Sequence, residues 1–152
     1  MQNLEQAQQI LAEFGRTIGL EELTFDAYGY CCLGFDNVLV NMELVPQAQQ
    51  LMLYAHLGLA PQPASAELYE SLLEANHFFR GTGGATIGVD PATRSIALVY
   101  ALPLPSLTPV LLEAEIKGFV DIAESWMTRL DQPAGGTDTS EQQGPMFQGL
   151  RV

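Results

Sequence analysis

Side chains able to do acid–base, nucleophilic or metal chemistry are few in this chain and scattered. Two histidines, His56 and His77, fall on segments of different pattern, with no Cys-x-x-Cys and no pair of His or Asp/Glu at ligand spacing that an independent feature supports. A zinc site or a histidine base therefore lacks its second member. Cys31 and Cys32 are the two thiols, and adjacent cysteines bridge only through a strained small ring. They read as thiols on opposite faces of a strand, with a vicinal redox switch as the alternative. Gly81-Thr82-Gly83-Gly84 has the composition of a phosphate cradle, but such loops lead from a strand into a helix, whereas this one leads out of a helix and has no lysine. It reads as a chain reversal. None of Ser65, Ser71, Ser95, Ser106 and Ser125 sits in a nucleophile motif, and a cysteine nucleophile would lack a base and an oxyanion device. The residues point away from an enzyme and imply no cofactor and no metal.

The elements that would position these side chains centre on Leu68 to Leu104, read as helix, glycine turn, strand, tight turn, strand. Leu68, Leu72, Asn76 and Phe79 share a helical face, with Ser65 as N-cap, Glu67 in the first turn and Gly81, Gly83 and Gly84 as the stop. Beyond the glycines the period becomes two: Ile87 and Val89, a turn at Asp90-Pro91-Ala92-Thr93, then Ile96, Leu98, Tyr100 and Leu102. Upstream, Leu4, Ala7, Leu11, Phe14 and Ile18 predict a helix over 3–19, with a capping box from Asn3 to Gln6 and Gly19 as terminator. Three or four antiparallel strands follow: Leu23, Phe25 and Ala27; Tyr30 to Phe35; Val38 to Val45; and Leu51 to Leu57. A last helix starts near Pro109, capped by Ser106 or Thr108, and buries Leu112, Ile116, Phe119, Ala123, Trp126 and Leu130.

With 152 residues, 47% of them hydrophobic, the chain is sized for one core. The expectation is an α+β domain over 1–131, in the order α-β-β-β-α-β-β-α, with three helices on a twisted antiparallel sheet. Residues 132–152, rich in Gly, Pro, Thr, Ser and Gln, read as a disordered tail in which Met146, Phe147 and Leu150 are isolated apolar residues or a short docking motif.

Eighteen acidic residues against six basic ones give a formal charge of minus 12, a field that repels nucleic acid and anionic membranes. The start of the chain lacks the basic and apolar regions of a secretory signal, and no stretch approaches the roughly 20 apolar residues of a spanning helix. A cytoplasmic protein is expected. The strands alternate imperfectly, for Tyr28, Tyr30, Cys32, Phe35, Leu39 and Val45 add apolar groups to the side that should be wet. Either both faces are covered within the fold, or one is kept open for another chain.

The element order and certain residues resemble the class I type III secretion chaperones, the Tir-chaperone (CesT/SycE-like) family. The likeness rests on Leu72-Leu73-Glu74-Ala75-Asn76, Ile87-Gly88-Val89-Asp90, Ile96-Ala97-Leu98 with Leu102-Pro103, and Phe119 and Ala123 to Trp126. It covers about residues 1 to 131. The resemblance implies a bacterial cytoplasmic homodimer that binds a segment near the N-terminus of a cognate effector. It would hold that segment extended and secretion-competent and deliver it to the secretion apparatus, whose ATPase is a further partner. Effector-binding candidates are Leu11, Phe14, Phe25, Tyr28, Tyr30 and Phe35, and dimer-interface candidates are Tyr69, Leu73, Ile96, Leu98 and Tyr100. An acidic immunity-like or adaptor module for a folded basic partner is the alternative.

Overall fold

The computed structural model describes residues 2–131; the tail expected over 132–152 lies outside them. Helix α1 spans Gln2–Thr17 and turns Ala7, Ile10, Leu11 and Phe14 inward. Because it begins before Asn3, that residue and Gln6 sit inside the helix and form no capping box at its start. Its end follows the expectation: the Leu20 N–H returns to the Gly15 carbonyl at 2.8 Å while Gly19 takes φ +83°, a left-handed reversal that glycine makes without strain.

Residues 18–29 are turns and open chain rather than the strand expected at Leu23, Phe25 and Ala27. The Phe25 N–H is taken by the Gln8 side chain at 3.1 Å, leaving no ladder to join. The apparent alternation came from Leu23 and Phe25 tucking against the core beside an outward Ala27.

Strands β1 (Tyr30–Phe35), β2 (Val38–Val45) and β3 (Gln50–Leu59) form a meander with the bounds expected, apart from a longer β3. Helix α2 (Ala66–Asn76) starts at Ser65, whose hydroxyl accepts the Leu68 N–H at 3.1 Å. It stops at Asn76, earlier than the glycines, because Phe78 and Phe79 both have left-handed backbones, with φ of 52° and 56°. Strands β4 (Thr86–Val89) and β5 (Ser95–Pro103) close the sheet, whose antiparallel order is β1-β2-β3-β5-β4. Asp90 organises their turn by accepting from the Ala92 N–H and the Thr93 hydroxyl. Helix α3 (Pro109–Leu130) is capped by Thr108, which takes the Leu111 N–H at 3.1 Å.

The core lies on one face of the sheet. Leu33, Val40, Met42, Leu53, Ala55, Ile96 and Leu98 point at α3, which buries Leu112, Ile116, Phe119, Ala123 and Trp126 against them. Each fully buried leucine or isoleucine contributes roughly 1.5–3 kcal/mol relative to exposure. Helix α1 packs on α3, and α2 packs beside β4. Trp126 pins the reversal after α2 by donating its indole N–H to the Gly81 carbonyl at 2.8 Å. A side chain at Gly81 would meet Ala75 at 2.7 Å, so the close approach requires glycine there.

Candidate partner-binding surface

The sheet has two edges, and they differ. At β1, the Leu44 N–H bonds to the Gly29 carbonyl at 2.9 Å. That bond sets the alternation: Cys31 and Leu33 bond to β2, while the N–H and C=O of Tyr30, Cys32 and Gly34 point outward. Asp26 satisfies Tyr30, donating its N–H to the Tyr30 carbonyl at 2.8 Å and accepting the Tyr30 N–H on Oδ1 at 3.0 Å. The backbone groups of Cys32 and Gly34 find no partner among the described residues. They are two donors and two acceptors in the arrangement that an added strand satisfies. At β4, Asn76 of α2 takes both outward groups of Ile87, and those of Val89 have no partner among the described residues.

Beside the β1 edge runs a groove of about 520 Å³, lined by Leu4, Glu5, Gln8, Gln9 and Ala12 of α1 and by Thr24, Phe25 and Asp26. The contact from Gln8 to Phe25 fixes its two walls to one another. Asp26 belongs both to the groove and to the edge, since the carboxylate that lines the groove also holds Tyr30.

The sheet face away from α3 is crossed by no helix among the described residues. Tyr30, Val45, Met52, Tyr54, Ala97, Val99 and Ala101 are half-buried there, and Cys32, Leu39, Glu43 and His56 are exposed. Of the two readings of the imperfect alternation, a face left uncovered is the one that the described residues show. Polar contacts order the face: the Tyr30 hydroxyl donates to Asn41 at 2.7 Å, Asn41 donates to the Tyr54 carbonyl at 3.1 Å, and His56 pairs with the Ser95 hydroxyl. Burial, and next the Glu43 carboxylate, push the Tyr54 phenol upward in pKa. His56 and His77 are on different elements, as expected, and His77 packs edge-on against Phe78.

The residues singled out in the sequence divide sharply. Leu11 and Phe14, expected on the partner-facing flank of the first helix, are 0% and 1% exposed. Their stripe faces the chain's own core, and the flank open to a partner is the adjacent one, Leu4, Gln8 and Ala12, at the same four-residue spacing. Phe25 is buried yet lines the groove, and Tyr28 is 91% exposed in the turn before β1. Tyr30 is half-buried on the open face, whereas Phe35 lies on the core side of β1, packed against it. Among the interface candidates, Ile96 and Leu98 are wholly buried in the monomer core, so a second chain cannot touch them without opening it. Tyr100 points the same way, its ring beside Gly84; burial, then the Glu115 carboxylate, raise its pKa. The Tyr69 hydroxyl accepts from Arg94 at 2.9 Å. Leu73, 71% exposed, is joined by Phe78, 76% exposed, and by Phe79 in an apolar patch at the end of α2. Sequence reasoning missed Phe78 because it continued the helix past Asn76, through Phe79 to the glycines.

The family model described as the Tir chaperone protein (CesT) family matches residues 9–127. The chain belongs to this family. The sequence is 27% identical over 116 residues to the Tir chaperones of Escherichia coli O157:H7 and of Citrobacter freundii, covering 76% of this chain and 74% of each relative. Among solved structures, a chain of the ExsC–ExsE complex superposes with a TM-score of 0.71 at 28% identity, over 82% of this chain and 93% of that one. The HopA1–SchA chaperone–effector complex gives a TM-score of 0.71 at 22% identity, over 84% of this chain and 97% of the other, and adds support for the fold alone. The likeness to the class I type III secretion chaperones, read from Leu72 to Asn76, Ile87 to Asp90 and the last helix, is thus shown. The family's α+β architecture is the one described above.

Proposed function

We propose that the chain is a cytoplasmic, homodimeric type III secretion chaperone that binds the N-terminal segment of an effector. It keeps that segment extended and secretion-competent and passes it to the secretion apparatus, with the secretion-system ATPase as a further contact. The observation that carries this reading is the unpaired edge at Cys32 and Gly34 beside an apolar groove, in a chain of the Tir chaperone family. Backbone pairing gives affinity that tolerates varied sequence, and the groove adds side-chain burial. Ordering a flexible segment costs roughly 1–2 kcal/mol per residue. At about 25 cal/mol per Å², each kilocalorie requires about 40 Å² of apolar surface to leave water. A long, dispersed contact over edge, groove and open face suits that requirement better than one deep pocket.

Net charge by itself would equally suit an adaptor for a folded basic protein. The unpaired edge favours an extended ligand, since a folded partner rarely offers a free strand. Co-expression with secreted proteins encoded nearby, followed by light scattering on the purified complex, tests the proposal. Two copies of the chain with one effector are expected. Failure to recover a complex with any of those neighbours would overturn it.

A further inference from the structure

The groove between α1 and residues 24–26 combines apolar lining with two carboxylates and, among the described residues, no base. Leu4 and Ala12 of α1 and the largely buried Phe25 supply the apolar lining, with Glu5 on the α1 side and Asp26 on the other. Asp26 uses Oδ1 for the Tyr28 and Tyr30 N–H groups, at 2.8 and 3.0 Å, while Oδ2 takes no hydrogen bond among the described residues. Glu5, exposed in the first turn of α1, is likewise without a described hydrogen-bond partner. Gln9 is turned away to Glu13, at 3.3 Å.

From this charge pattern we infer that the groove selects an extended polypeptide segment in which an apolar anchor is flanked by lysine or arginine. The inference rests on the export-chaperone reading and adds the chemical class of the ligand. The apolar anchor leaves water on Leu4, Ala12 and Phe25, and the flanking cations meet Glu5 and Asp26 on either side. An anionic flank would instead be repelled from both.

The test uses the full-length chain and two fluorescein-labelled synthetic peptides that share an alternating Leu/Val/Ser core, one flanked by lysines and the other by glutamates. Anisotropy titrations at about 0.05 M salt should favour the lysine peptide about fivefold to twentyfold, the product of two exposed ion pairs. The preference should fade at about 0.5 M, where screening is short-ranged, while apolar binding persists. The double substitution E5Q/D26N should cut the preference to the small part that the remaining net charge gives, and the amide oxygen that replaces the Asp26 carboxylate would still accept the two backbone N–H groups. A control, E113Q/D121N on the wet side of α3, removes the same net charge and should leave the preference in place. Amide shifts on titration should cluster at Gln8, Ala12, Thr24 and Phe25.

Equal affinity for the two peptides, or a preference that E5Q/D26N leaves undiminished, would overturn the inference. So would a preference lost equally in the α3 control, or shifts confined to other elements. If those results coincide with a recovered chaperone–effector complex, the charge selection fails and the export reading stands. If no secreted neighbour is recovered either, the export reading has failed with it.

Discussion

Asn76 clamps Ile87 through both halves of its amide: Nδ2 donates to the Ile87 carbonyl and Oδ1 accepts the Ile87 N–H, each at 2.8 Å. A side chain thereby imitates a neighbouring strand and occupies the outward groups at the middle of the β4 edge. The result is that each edge has one residue held by the chain's own side chains, Ile87 by Asn76 at β4 and Tyr30 by Asp26 at β1, while Cys32 and Gly34 at β1 have no backbone partner among the described residues.

Asn76→Ala should cost about 2–3 kcal/mol, because it leaves a half-buried N–H and carbonyl without partners. The single tryptophan, Trp126, reports unfolding from inside the core, so urea titrations followed by its fluorescence measure the loss. Asn76→Asp should recover only part of the stability, for it restores the acceptor without the donor. A cost within about 0.5 kcal/mol for alanine, as on an open surface, would show that water replaces the clamp freely.

Much of this was legible in the sequence. The strand bounds at Tyr30–Phe35 and Val38–Val45, the caps at Ser65 and Thr108 and the buried stripe of α3 followed from periodicity and turn chemistry. Cys31 and Cys32 lie, as read, on opposite faces. What could not be read was which of two adjacent stripes on α1 met the core: both recur every three to four residues, and α3 decides between them. Nor could alternation distinguish Phe25 in open chain from Phe25 in a strand, since the deciding bond comes from the Gln8 side chain. Ile96 and Leu98 look the same in sequence whether they face a core or a partner. The unpaired edge is a tertiary property, and only the strand order reveals it.

Gly34→Pro tests the open edge. Proline removes an outward N–H that no ladder bond uses, and edge strands tolerate that loss. A side chain there would make ordinary contact with Leu39, at 3.6 Å. The expected outcome is a change in urea stability below about 1 kcal/mol, with at least a tenfold loss of effector affinity by titration calorimetry. Unchanged affinity would place the effector elsewhere.

The apolar patch at the end of α2 and the inner face of β5 make opposite predictions for assembly. Leu73→Lys and Phe78→Ser alter exposed groups and should leave the monomer's fold intact while shifting the light-scattering mass from dimer toward monomer. Leu98→Ala should instead destabilise the fold by about 2–5 kcal/mol through a core cavity. A Leu73→Lys variant that stays fully dimeric would remove this patch from the interface.

Cys31 and Tyr100, like Tyr30 and Tyr54 on the other face, carry pKa values raised by burial, which predicts a loss of stability at alkaline pH. Burial raises the Cys31 thiol above its ordinary pKa, with the Cys32 sulfur adding to it, and burial with Glu115 raises the Tyr100 phenol. A folded-state pKa above the unfolded one means that the unfolded chain loses its proton first. This contribution is complete below the unfolded values and is lost as pH rises through the folded ones. Urea stability should therefore be insensitive to these groups up to about pH 8 and should fall above about pH 9. Tyr100→Phe and Cys31→Ala should each flatten that decline, whatever they do to stability at neutral pH. At about pH 8 a thiol reagent should modify exposed Cys32 quickly and buried Cys31 only as the chain opens. Equal rates at the two sulfurs, or an alkaline slope that neither substitution changes, would show that Cys31 is not held in the core.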